Sequence, residues 1–227
     1  MENLRDLLLF RRMGDMSKDL RSYLRLFEGS SDLLRVTKPI KANFEITAVL
    51  QKLEEINRYP IVLFENVIAE NGTKYNYPVL TNLFASRDRI ALAIGSGRES
   101  LVGDYSSLEE KLTPPVEIPA AKAAVKEVIR RDGSVNLYEF PFITHHAMDL
   151  GPYITAGSVW VKNPETNEIN CAVLRIWVSG ENRLVMNMNP AGHTYGIYQQ
   201  YLAKGQTMPV IIAIGHHPAF YIGGQTK

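Results

Sequence analysis

The sequence holds a single cysteine, Cys171, in 227 residues. That count excludes an intrachain disulfide and any zinc site built from several thiolates, and it fits a reducing compartment. An excess of one charge is also lacking. Lys and Arg number 25 against 24 Asp and Glu, the formal charge is +1, and no long block of like charge occurs. A nucleic-acid binder carries a basic stripe, and none is present. No apolar run approaches the roughly 20 residues of a membrane span. Leu7-Leu8-Leu9-Phe10 is too short for a signal-peptide core and has no small-residue cleavage site after it. These absences read as a soluble, cytoplasmic protein. With 45% apolar residues the chain can bury a packed core. At about 150 residues per domain, its length fits one large domain or two small ones.

The first half alternates helical and strand patterns. Ser17 is placed to cap a helix with Leu20, Tyr23, Leu24 and Phe27 on one face, and Gly29 to Asp32 break it. Leu33 to Val36 reads as a strand. Asn43 is placed to cap a second helix carrying Ile46, Val49, Leu50 and Leu53. Ile61 to Phe64, after Pro60, is a buried strand, and Pro78 to Phe84 another. Ser86 begins a helix through Ile90 and Ile94 that Gly95 ends in a left-handed conformation. Ser106 and Glu109 have capping-box spacing for a short helix. Thr113-Pro114-Pro115 is the best boundary, because two prolines stop both helix and ladder. Ala120 to Ile129 fits helix and strand equally. Tyr153 to Lys162, Ile169 to Val178 and Arg183 to Met188 form an antiparallel meander, followed by a helix from about Thr194 to Ala203 and a strand Val210 to Ile214. The fold class is therefore α+β: an N-terminal α/β domain over residues 1–113, then a β-rich domain over 114–227.

Few motifs carry chemistry. Gly95-Ser96-Gly97 lacks the later glycine and the Lys-Ser/Thr of a phosphate loop, and no Gly-x-Ser-x-Gly elbow exists. Cys171, inside a strand pattern, reads as a small hydrophobe rather than a nucleophile. Of the five histidines, adjacent pairs on a strand point apart, so neither His145-His146 nor His216-His217 is a chelate by itself. His193 differs. It stands just before a helix in Asn189-Pro190-Ala191-Gly192-His193, where proline and glycine constrain the backbone as a ligand requires. Asn170-Cys171-Ala172-Val173-Leu174-Arg175 puts an amide and a guanidinium on an otherwise apolar strand. A buried Arg needs an anion or acceptors; an Arg at a strand end, or paired with a local carboxylate, accounts for it equally well. Asn170 and Arg175 face opposite sides of a regular strand. A shared site needs a bulge or twist between them, or a ligand wrapped over the strand edge.

The sequence resembles the UbiD family of prenylated-flavin-dependent decarboxylases over nearly its whole length. The resemblance rests on Asp19-Leu20-Arg21-Ser22-Tyr23-Leu24, on Pro78 to Phe84, and on Leu150-Gly151-Pro152-Tyr153-Ile154-Thr155. Its most specific element is the Asn-x-x-x-x-Arg strand, Asn170 to Arg175, followed by the Pro-x-x-His turn, Pro190 to His193.

The resemblance implies that the second domain is the first part of a split β-barrel of flavin-reductase type. It makes Asn170 and His193 ligands of a Mn²⁺, with or without K⁺, that bridges to the cofactor phosphate. Asn170, Cys171, Ala172, Val173, Leu174 and Arg175, with Gly192 and His193, would contact prenylated FMN. Arg175 would reach the substrate carboxylate as the catalytic residue. The implied activity is reversible decarboxylation of an aromatic or α,β-unsaturated carboxylic acid. A flavin prenyltransferase would supply the cofactor, and the parent would be a homo-oligomer without nucleic-acid or membrane partners. The family's third metal ligand and its proton donor, both glutamates, lie beyond the matched stretch. The chain is thus expected to be an N-terminal fragment, its barrel incomplete and inactive on its own. A non-catalytic flavin- or partner-binding module and a plain FMN reductase are the alternatives.

Overall fold

Ile61-Val62-Leu63-Phe64 offers no polar position to water, and a strand of that kind must be covered on both faces. In the computed structural model, which describes residues 19–111 and 113–226, it is the middle strand of a three-stranded sheet. Strand β1 (Leu33–Val36) runs parallel to β3 (Ile61–Phe64), and β5 (Val79–Thr81) pairs antiparallel on the other side of β3. Strands β2 (Ile40–Lys41) and β4 (Val67–Ile68) form a separate parallel pair. Helix α2 (Glu45–Glu55) buries Ile46 and Leu53 against Val62, Phe64 and Val67. Helices α1 (Leu20–Arg25) and α3 (Arg87–Ala93) cover the opposite face, where Tyr23, Leu92 and Ala93 meet Ile61.

Several element ends differ from the sequence reading. Asp19 caps α1, its Oδ1 accepting the Ser22 N–H at 2.7 Å; Ser17 lies outside the described residues. The residue before α2 is Phe44, not Asn43, and it holds φ 64°. Asn43 bridges to Thr144 and stays extended, while the Phe44 N–H donates to the Thr144 carbonyl at 3.0 Å. A contact a hundred positions away thus sets the helix start. Asn82, at φ 59°, takes the chain out of the ladder and shortens the expected Pro78–Phe84 strand to β5. Helix α4 (Leu101–Glu109) starts well before Ser106, because Ser96 Oγ bonds Asp104 at 2.6 Å and braces its first turn. Gly95 ends α3 at φ 73°, as its position predicts.

Residues 113–152 carry short 3₁₀ turns and two isolated bridges, at Ile143 and Thr144. Ala120–Lys122 and Ala124–Lys126 are two of the turns, so the ambiguous stretch is neither helix nor strand, and Val125 is 82% exposed. Beyond it lie β6 (Tyr153–Ile154), β7 (Ser158–Lys162), β8 (Ile169–Val173), β9 (Arg175–Gly180), β10 (Arg183–Asn187), helix α5 (His193–Ala203) and β11 (Val210–Ala213). These strands do not form one meander. They make two antiparallel sheets, ordered β11-β7-β8 and β10-β9-β6. The chain changes sheet at Leu174. Both sheets and α5 share one core of Ile154, Val159, Val161, Ile176, Val178 and Ile197. Gly157 sits where the strands converge; a Cβ there would stand 2.9 Å from Ile212 and 3.0 Å from Ile154. The fold is α+β, and among the described residues strand pairing does not close the two sheets into a barrel.

Helix α6 (Pro218–Gly223) is absent from the sequence reading. His217 accepts the Ala219 N–H at 3.1 Å, and Pro218 supplies a first helical residue that needs no donor. This helix crosses back to the N-terminal half. Tyr221 stacks on Phe84 at 4.9 Å between centroids, and Ile222 joins the Tyr23 cluster. On its other side Phe220 meets Trp160 at 5.1 Å. Among the described residues, no helix is long and apolar enough to cross a membrane.

Candidate active site

In the order β11-β7-β8, strand β8 is outermost, so its free side presents backbone N–H and C=O groups. Asn170 and Ala172 oppose Val161 and Val159 in the ladder, so they share the face that looks towards α5. There the Asn170 Nδ2 donates to the Thr194 Oγ at 3.0 Å. Thr194 is buried and follows His193, the first residue of α5. The bond therefore brings the amide of β8 to the start of the helix that carries the imidazole.

The turn before α5 explains why the helix begins at that point. Asn189 Oδ1 accepts the Ala191 N–H at 3.0 Å, and the Asn189 carbonyl accepts the Gly192 N–H at 2.9 Å. A Cβ at residue 192 would stand 3.2 Å from that carbonyl. Gly192 is the N-cap residue, and no side chain caps the helix. An eleven-residue helix without a side-chain cap leaves its first N–H groups and the positive end of its dipole to any anion placed there.

Arg175 opens β9, directly after the change of sheet. Alternation carries through the corner: Asn170 and Ala172 share the core side with Leu174 and Ile176, so Arg175 falls on the opposite side, as the strand pattern predicts. The guanidinium is not the buried group that the apolar strand pattern allowed. Its side chain is 52% exposed, it pairs with Asp149, and it lies over the Tyr153 ring at 4.1 Å from the centroid. A local carboxylate thus accounts for it. Asp149 is only 8% exposed. It accepts the backbone N–H of His145 at 3.2 Å and of His146 at 3.1 Å through Oδ2, leaving Oδ1 to Arg175. Burial would raise its pKa, but these N–H groups and the Arg175 charge outweigh it and hold the carboxyl below its ordinary range. Neither Asp149 nor Tyr153 was singled out as a site residue in the sequence. The spacing of 26 residues between Asp149 and Arg175 has no local signature.

Cys171 and Val173 oppose Trp160 and Ser158, on the face away from Asn170. The Cys171 thiol is half-buried, burial pushes its pKa up, and a Cβ at Gly224 would stand 2.7 Å from its sulfur. It packs beneath the C-terminal turn and is no activated nucleophile. Leu174 points into the shared core. The structure thus ties Asn170 to Thr194 at the start of α5, next to Gly192 and His193 in the chain, and holds Arg175 just past the corner.

The donor types at Asn170 and His193 suit a hard divalent cation with phosphate oxygens around it. They would supply two ligands, and among the described residues no group of three His, Cys, Asp or Glu is placed to hold a metal. The residues present fit part of such a set. The other histidines have local roles: His216 Nε2 lies 2.8 Å from Ser158 Oγ, and His217 caps α6.

His145 gives the site a pH dependence. Burial lowers its pKa from 6.5, with the neighbouring Asp149 charge opposing and losing. Because the folded value is depressed, the stability tied to neutral His145 is fully present above the unfolded value and lost as pH falls through the folded one. The urea midpoint should therefore drop between about pH 7 and pH 5, and His145→Gln should flatten that slope. Asp149 contributes only below about pH 4, so the two windows separate. An identical slope in the variant would remove His145 from the account.

Residues 24–130 match the family model of the 3-octaprenyl-4-hydroxybenzoate carboxy-lyase N-terminal domain, and residues 116–227 that of its Rift-related domain. The chain is 29% identical over 208 residues to an anhydromevalonate phosphate decarboxylase of Methanosarcina mazei, covering 91% of this chain and 44% of the relative. A dimeric evolved form of HmfF, a UbiD-class enzyme from Pelotomaculum thermopropionicum in complex with prFMN, superposes with a TM-score of 0.81 at 32% identity. That match covers 89% of this chain and 45% of the other. The 3,4-dihydroxybenzoic acid decarboxylase AroY of Klebsiella pneumoniae gives 0.79 at 25% identity, over 92% and 44%. The chain spans less than half the length of these relatives. Two overlapping family models that together reach from residue 24 to residue 227, on a fold shared with UbiD-class structures, place this chain in the UbiD family.

Proposed function

We propose that the chain forms the flavin-binding part of a reversible decarboxylase acting on an aromatic or α,β-unsaturated carboxylic acid. The observation that carries this is the junction of Asn170, Thr194 and His193 at the open edge of β8, beside the uncapped start of α5. That junction would offer an amide oxygen and an imidazole to a metal ion and a helix N-terminus to a phosphate, which is what a metal-bridged flavin phosphate needs. Asn170 and His193 would hold Mn²⁺, with or without K⁺. Residues Cys171 to Leu174, at the β8 edge and the corner after it, would lie along prenylated FMN. When bound, this cofactor supplies the electron sink for loss of CO₂. Arg175 fixes the substrate carboxylate by paired hydrogen bonds, and Asp149 and Tyr153 hold the guanidinium in place.

In the same reading the chain divides near Pro114-Pro115. Residues 1–113 are an N-terminal α/β domain, and 114–227 the first part of a split β-barrel of flavin-reductase type, supported by two sheets sharing one core. The protein is cytoplasmic, a flavin prenyltransferase supplies the cofactor, and the active form is a homo-oligomer.

Anaerobic purification after co-expression with a flavin prenyltransferase tests the reading. Prenylated FMN, identified by mass and absorbance, is the expected result. Plain FMN with reductase activity would turn the assignment to an FMN reductase. No flavin under any loading condition would leave a partner-binding module.

A further inference from the structure

We propose that a cleft in the N-terminal half, between residues 31–32, residues 58–60 and the start of α3, binds a small phosphate-bearing molecule. The cleft has a volume of about 440 Å³, the size of a small-molecule site, and four arginines line it: Arg58, Arg87, Arg89 and Arg98. It shares no residue with the Asn170 and Arg175 region and owes nothing to the flavin reading.

Arg89 is the built element of this cleft. Its side chain is 5% exposed, yet carbonyls rather than carboxylates hold it. Nε donates to Leu83 at 3.3 Å, and Nη2 to Tyr59 at 2.7 Å and Asn82 at 3.1 Å. The left-handed turn at Asn82 aims one of these carbonyls. Nη1 makes no hydrogen bond among the described residues; the nearest carboxylate oxygen, on the half-exposed Asp32, stands 4.0 Å away. Burial lowers the Arg89 pKa, with Asp32 opposing only in part. A buried cation with one arm bare is costly unless a further acceptor reaches it.

Two more guanidinium groups wait at the rim. The side chains of Arg58 and Arg87 have no hydrogen-bond or ion-pair partner among the described residues, although both line the cleft. Arg98 is anchored by Asp88 at 2.8 Å. Four arginines against Asp32 and Asp88 leave two positive charges. A phosphate monoester carries between about one and a half and two negative charges at neutral pH, so it balances this excess where a monocarboxylate would not. The planar fork of each Arg also suits adjacent phosphate oxygens. Tyr59, 44% exposed on the same wall, offers a flat apolar surface to the organic part of the ligand.

Calorimetric titration of the 227-residue chain with phenyl phosphate, without added metal and at low salt, tests this. Saturable binding is expected, with benzoate binding at least about tenfold more weakly. The double variant Arg58→Gln/Arg87→Gln should weaken phenyl phosphate by about tenfold or more. Both positions are exposed rim side chains, so the variant should keep its far-ultraviolet circular dichroism and melting curve. Asn170→Ala should leave the affinity unchanged. No binding, equal affinity for benzoate, or loss of binding in Asn170→Ala with none in the arginine variant would each overturn the proposal.

Discussion

Arg175→Ala, introduced into a decarboxylating preparation that contains this chain, should lower CO₂ release about 10²–10³-fold while leaving the fold and most flavin binding intact. The size follows from removing one member of a hydrogen-bonded charge pair, typically about 2–5 kcal/mol at about 1.4 kcal/mol per tenfold. The guanidinium is half-exposed and opens β9, so truncating it leaves no core cavity. Arg175→Lys should rescue poorly, because a point charge reproduces neither the planar fork nor the stacking on Tyr153. Asp149 provides a second check. Its two backbone N–H bonds survive in Arg175→Ala, so the 145–149 loop should hold its shape, visible as unchanged amide resonances of His145 and His146. Near wild-type turnover in Arg175→Lys would mean that Arg175 does not clamp a carboxylate.

The second large effect concerns the metal. Given Mn²⁺ and prenylated FMN, the 227-residue chain by itself should hold both weakly and release no measurable CO₂. Asn170 and His193 would supply two ligands, and among the described residues no group of three His, Cys, Asp or Glu offers a metal site of its own. A hard cation with two protein ligands keeps mostly water around it, so little of its binding energy goes into organising the site. A positioned general acid typically contributes about 10²–10⁴ in rate, and none is assigned among the candidate site residues. His193→Ala should weaken residual Mn²⁺ binding by about tenfold or more, since even residues behind a metal ligand cost about that much. Electron paramagnetic resonance of free Mn²⁺ during titration reads this directly. Stoichiometric metal and flavin on the chain alone, or CO₂ from it, would reveal a complete site.

Where local chemistry decides, the sequence was sufficient. Strands β1 and β3 occupy the residues their apolar runs marked, because turn-forming residues end the first and Pro60 precedes the second. The stripe of α2 packs as its 3.6-residue period requires, and Gly95 takes the left-handed angle that closes α3. The local structure around Asn170 and His193 was legible too, since a Pro/Gly turn before a helix and a polar residue in an apolar strand are local signals.

What joins distant segments was decided by the tertiary structure. The apolar alternation continues unbroken through Ile176 and Val178, so nothing local marks Leu174 as the place where the chain leaves one sheet for another. Thr144 sets the start of α2, Thr194 holds Asn170, and Asp149 claims Arg175, each across a separation that no periodicity encodes. The arginine cleft is of the same kind: Arg58, Arg89 and Arg98 are scattered in the sequence and meet only once α3 is packed on the sheet. The physical reason is common to all of these. Backbone angles and hydrophobic period are properties of neighbours along the chain, whereas the partner of a buried polar group is whichever group packing brings within about 3 Å.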